Sequence, residues 1–184
     1  MRWERLFEDI EAQLEADQRA ELRDEIDERT RLEVARVGLF DRLRETTGSS
    51  LELTVAGLGR VEGVIDRVGP DWLVIAASTA VSVLVTATGL VAVGALPLAA
   101  TSADATGPVG SRIDVRHVLR ALARDRSALT VGLTDGTRRV GTVDRVGADF
   151  IDLAEHPLDQ PRRPDQVSAY RTIALAAVCW VRSG

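Results

Sequence analysis

A chain of 184 residues, 45% of them hydrophobic and 28% charged, can bury one substantial core or two small ones, which excludes disorder as the default. Its 23 basic residues stand against 28 acidic ones, and the formal net charge of -5 argues against broad binding to a phosphate backbone. A lone cysteine, Cys179, excludes an internal disulfide, and two histidines without a cysteine cluster offer no metal site.

The opening segment, residues 1–47, places Trp3, Leu6, Phe7, Ile10 and Leu14 at helical spacing. A second stripe runs through Leu22, Ile26, Leu32, Ala35, Leu39 and Leu43, so the helix either continues or breaks near Asp17, which could cap a second one. Between the stripes, Arg19 to Arg31 alternates charges at spacings such as Glu25 with Arg29, which permit pairing across one helical turn. The segment therefore predicts a long helical arm, either folded back on the rest of the chain or forming an intermolecular coiled coil. Trp3, Phe7 and Ile10 are its candidate docking residues. Its charged start carries no long apolar region of the secretory kind, so the chain is expected in the cytoplasm, in keeping with its one cysteine.

From Leu51 the period changes from helical to alternating. Leu51, Leu53 and Val55 share one face of a strand, Gly57-Leu58-Gly59 makes a turn, and Val61, Gly63 and Ile65 share a face of the next. Trp72–Ala76 is a third strand, and Val81–Val93 holds two more, divided near Thr88-Gly89. Residues 72–103 carry no charge and are long enough to span a bilayer. They are rich in Ala, Thr, Ser and Gly, however, and adjacent buried strands account for them better than a membrane helix.

A connection at 98–112 leads to an amphipathic helix over Ile113–Arg126 and a second set of strands through residue 184. The second set repeats the first. Gly63-Val64-Ile65-Asp66-Arg67-Val68-Gly69-Pro70-Asp71-Trp72-Leu73-Val74-Ile75-Ala76 returns as Gly141-Thr142-Val143-Asp144-Arg145-Val146-Gly147-Ala148-Asp149-Phe150-Ile151-Asp152-Leu153-Ala154, with seven of fourteen positions identical. Gly69 and Gly147 are expected at positive φ, with the flanking aspartates as turn caps. Residues 156–171 read as an exposed insertion with three prolines. Thr172–Arg182 reads as one closing strand, apolar on both faces.

The helix followed by Leu133-Thr134-Asp135-Gly136 and by the second spelling of the repeat is similar to the Sm-like fold, a small bent antiparallel barrel preceded by a helix. Residues 51–97 resemble a shorter version of it. The resemblance implies a mainly β chain with helices (α+β): a long N-terminal helical segment over 1–47, a first five-stranded Sm-like or SH3-like barrel over 51–97, a linker over 98–112, and a helix with a second barrel over 113–184. The chain as a whole, opening Met-Arg-Trp-Glu-Arg-Leu-Phe-Glu-Asp-Ile, also resembles uncharacterised actinobacterial proteins sometimes labelled Fis-type regulators. A Fis-type reading implies a C-terminal helix-turn-helix, whereas this C-terminus reads as strands. In Sm relatives an Asp, an aromatic or Met, and an Asn contact RNA. Here Asp149 and Phe150 match, while Ile151 or Asp152 stands in the place of the Asn.

No residue set in the sequence reads as catalytic, and no cofactor or small-molecule substrate is implied. The paired aspartates Asp66 with Asp71 and Asp144 with Asp149 straddle glycine turns, His117 and His156 read as surface or capping residues, and Cys179 reads as inert core. The strongest cationic cluster is Arg116, Arg120, Arg124, Arg138 and Arg139, a candidate face for a protein partner or for nucleic acid. Two functions follow: a non-enzymatic interaction or scaffold protein that binds a partner or itself, or an RNA-binding regulator using the arginine face, with edge strands joining several chains into a ring as in Sm relatives.

Overall fold

The computed structural model describes residues 13, 22, 25, 28–32, 34–79, 81–97, 113–159 and 162–183. The chain divides into two units, Met1–Gly38 and Leu39–Gly184. In the first, residues 28–32 and 34–36 are helical, and residues 37–38 are not. Glycine is the poorest helix former after proline, and the helical residues of this unit end at Arg36, ahead of Gly38. The expectation of a long N-terminal helical segment is thereby corrected: the elements that follow begin with a short helix, α1 (Leu39–Arg44). Trp3, Phe7 and Ile10, most of the N-terminal stripes, and the connection 98–112 lie outside the described residues.

Among its described residues the second unit holds ten strands: β1 (Ser50–Val55), β2 (Gly59–Val68), β3 (Trp72–Ala76), β4 (Ser82–Thr86), β5 (Leu90–Val93), β6 (Leu129–Leu133), β7 (Arg138–Val146), β8 (Phe150–Glu155), β9 (Ala169–Ala174) and β10 (Val178–Ser183). Helix α2 (Val115–Asp125) precedes β6 as α1 precedes β1. The strands form one antiparallel sheet in the order β5-β1-β2-β3-β4-β10-β6-β7-β8-β9. Two separate five-stranded barrels, the expected architecture, are not what the chain forms. The last strand leaves the end of its own repeat to lie at the middle of the sheet, pairing β4 through Trp180↔Val85 and Val181↔Leu84, and β6 through Val181↔Val131 and Arg182↔Thr130.

The physical reason lies in residues that are apolar on both faces. Successive side chains of a strand point to opposite sides, and on β3 and β4 both sides are buried. Leu73, Ile75, Val83 and Val85 enter one core with Leu43 of α1, Leu53 and Ile65. Trp72 and Leu84 enter a second core with Leu119 of α2, Leu129, Ile151 and Leu153. Strand β10 serves both cores, sending Cys179 and Trp180 into the first and Val178 and Val181 into the second. A register shift between Val178 and Trp180 turns two neighbouring residues to the same side, as a bulge does. The buried Thr86 hydroxyl donates to Val178 O at 2.7 Å, tying that irregularity to β4.

The uncharged run from Trp72 thus consists, as far as Pro97, of β3, β4, β5 and their turns. No helix among the described residues is long and apolar enough to cross a membrane. Two further expectations are corrected. Thr172–Arg182 is not one strand: β9 is separated from β10 by a 3-10 turn at Leu175–Ala177, and the two occupy the sheet's end and centre. The insertion is also shorter than 156–171, because His156 is buried and β9 begins at Ala169.

Gly69 and Gly147 are absent from the positive-φ glycines, so turn conformation is not the reason for either. A Cβ at Gly69 would collide with the Trp72 indole, and one at Gly147 with the Phe150 ring. In both copies the glycine N–H donates to the carbonyl of that aromatic residue at 2.8 Å, which folds the ring back over the glycine. The repeat preserves a place for a ring.

Candidate functional site

Helix α2 is anchored by two aspartates from different copies. Asp114 is its N-cap, accepting from His117 N at 3.2 Å, and Asp71 Oδ1 accepts from Val115 N at 3.0 Å. Trp72 Nε1 donates to Ile113 O at 2.7 Å just before the helix. Hydrogen bonding by the Arg116 guanidinium, then by His117, holds the Asp114 carboxyl down at about 2, while burial pushes the Asp71 carboxyl up. A depressed carboxylate contributes stability that is present above its unfolded value and lost as pH falls through the folded one. Asp114→Ala should therefore lower stability by about 0.5–2 kcal/mol at neutral pH, as a lost N-cap does. The difference from the parent should shrink between pH 4 and pH 2, measured by urea denaturation across that range.

Beside α2 lies a cavity of about 810 Å³. Its floor is Val68 of β2 with Trp72 and Val74 of β3, and α2 supplies one wall through His117, Val118, Arg120, Ala121 and Arg124. Arg44 and Thr47, at and just beyond the end of α1, face it from another element, and Asp66 and Arg67 complete the rim. The helix presents these residues because positions 117, 120, 121 and 124 fall on one face, while Leu119 and Leu122 turn to the core. Arg44 is paired with Asp41 at 2.6 Å, and Arg67 stands 3.8 Å from Asp66. Arg120 and Arg124 are exposed and have no hydrogen-bond or ion-pair partner among the described residues.

The arginines read from the sequence as one face are divided. Arg120 and Arg124 line this cavity, whereas Arg116 bonds Asp114 at 2.7 Å and reaches Ala148 O at 3.4 Å. Arg138 lies over the Trp180 ring, 5.6 Å from its centroid, and donates to Gly57 O at 3.1 Å. Arg139 is 3.6 Å from Glu155, and both arginines of that hairpin line a second cavity of about 590 Å³. Sequence spacing could group the arginines of one helix; it could not bring in Arg44, Arg67 or the indole of Trp72. The aspartate pairs do not converge either: Asp71 serves α2, Asp144 accepts from Arg162 at 2.6 Å, and Asp66 faces Arg67. His156, expected as a surface or capping residue, is 3% exposed, with Nε2 2.8 Å from the Thr142 hydroxyl and Nδ1 2.8 Å from Pro157 O. The Cys179 thiol is buried and pushed up by that burial.

Two sheet edges form a second feature. Among the described residues β5 pairs only with β1, and β9 only with β8. On them Val91 and Tyr170 are 65% and 66% exposed, the largest apolar side chains left open on each strand. No protein-family model matches the chain, and no match was found among curated proteins.

Proposed function

We propose that the protein is a non-enzymatic scaffold that joins copies of itself head to tail, β9 of one chain adding to β5 of the next. One observation carries this reading: the joint inside the chain is the same joint. Trp72↔Thr86 on β3 and β4 corresponds through the repeat to Phe150↔Ala174 on β8 and β9, so β9 stands in its copy where β4 stands in the first. Likewise β10 pairs with β6 as β5 pairs with β1, Leu129↔Ser183 answering Leu53↔Val93. The joint between copies within the chain is β4 with β10, and its two remaining halves are β9 and β5.

Transferring the register sets Tyr170 opposite Val93 and Arg171 opposite Ala92, in place of Ser82↔Ser183 and Val83↔Arg182; beyond Ala92, β5 carries a register shift at Val91 that β10 does not have at the corresponding place. Each joint holds one arginine, Arg182 inside the chain and Arg171 outside it, opposite a small or aliphatic residue. Because the contact is heterologous, it closes into a ring or runs on as a filament according to the rotation per chain. An RNA-binding face has less support, since Arg116, Arg138 and Arg139 are engaged within the chain and the set is divided.

Light scattering after gel filtration should give a mass that is a multiple of 19.9 kDa. Ala92→Arg, which sets a second arginine opposite Arg171 at the joint, should reduce it to a single chain. A parent protein that remains at 19.9 kDa at every concentration overturns the reading.

A further inference from the structure

We propose that the cavity beside α2 is a binding site for a small amphipathic anion, one carboxylate or phosphate head joined to an apolar chain or ring. The inference rests on the cavity and stands apart from strand addition. Around it are four arginines and one aspartate, and with Asp41, which pairs with Arg44, counted in, a formal surplus of two positive charges remains in a chain whose total is -5. Arg120 and Arg124, about one helical turn apart, have no partner among the described residues and can both turn to one head group. Planar guanidinium groups match carboxylate and phosphate oxygens two at a time.

The floor sets the other half of the ligand. Val68, Trp72 and Val74 form an apolar base below the charges, which inorganic phosphate or a nucleic-acid backbone would leave uncovered. The volume of about 810 Å³ lies within the range of pockets that enclose small molecules. Arginines around an apolar floor, rather than in a row, suit one anionic head with a buried tail. Helices α1 and α2 hold corresponding places before the first strand of each repeat and stand on different sides of the site, so duplication itself creates the cleft.

The test uses the full chain and anilinonaphthalene sulfonate, which combines a sulfonate with aromatic rings. Its fluorescence should rise to saturation at one molecule per chain, and decanoate or decyl phosphate should displace it. Decanol and inorganic phosphate should each be at least tenfold weaker competitors. Arg120→Ala with Arg124→Ala should weaken decanoate at least tenfold, and Ala121→Trp, which fills the cavity from the helix, should abolish saturable binding. These three positions are exposed, so the melting temperature should not move. Whichever of decanoate and decyl phosphate binds better identifies the head group and supports the site. Equal competition by decanol, binding unchanged in both variants, or no saturable binding overturns it; none of these outcomes touches the oligomer mass that tests strand addition.

Discussion

A chain ending at Ala177 is expected to lose the whole of the Leu39–Gly184 unit rather than its C-terminal half. The deleted strand holds Val178, Cys179, Trp180 and Val181, each at most 2% exposed, and supplies two residues to each core. It also fills the ladder between β4 and β6, so its removal opens an edge on both repeats at once. Truncating a single buried tryptophan costs about 3–5 kcal/mol, and native domains hold only about 5–15 kcal/mol in total. Loss of four core residues and two ladders exceeds that margin. Far-UV circular dichroism and urea titration of the truncated chain should show no cooperative transition. Were the repeats independent barrels, residues 39–97 would still unfold cooperatively, and seeing that transition would refute the shared core.

The individual strands were legible in the sequence because alternation and turn residues are local signals. Leu53 and Val55, the Gly57 and Gly59 turn, and Trp72–Ala76 all take the places that period and punctuation assign them. The joining of the repeats was not legible. Apolar residues on both faces of 178–181 say that a strand is buried twice, but not that it is buried between copies. A strand inside its own barrel and a strand shared by two cores carry the same pattern, and the difference lies in pairings far apart in sequence, such as Trp180 with Val85.

The same limit applied to the site. Arg120 and Arg124 could be read from helical spacing, whereas Arg44 and Arg67 reach the cavity only because α1 and the β2–β3 hairpin come together there. Gly69 and Gly147 were correctly singled out by repetition, yet for a turn conformation they do not adopt; a contact three residues away decides them. Repetition marks positions under a shared constraint, and the type of constraint has to come from packing.

The repeat also conceals an asymmetry that substitution should expose. Trp72 and Phe150 are the same letter of the repeated stretch, and each ring covers its glycine. Trp72, 6% exposed, lies in the second core and donates its indole N–H to Ile113 O, fastening α2 to the other copy. Phe150 has no such donor and is only half-buried. Trp72→Ala should cost about 3–5 kcal/mol, and Phe150→Ala clearly less, because the cost of truncation follows burial. Trp72→Phe, which gives the first copy the second copy's spelling, removes one hydrogen bond worth about 0.5–1.5 kcal/mol along with part of the ring's buried area. Amide exchange separates these effects: Trp72→Phe should speed exchange at the start of α2, at Val115 and His117, whose N–H groups are bonded to Asp71 and Asp114, while β7 and β8 keep their protection. Uniform acceleration across the sheet would mean that the indole acts through the core alone. Exchange confined to α2 would show one member of a duplicated pair holding the helix that carries Arg120 and Arg124 against the neighbouring copy.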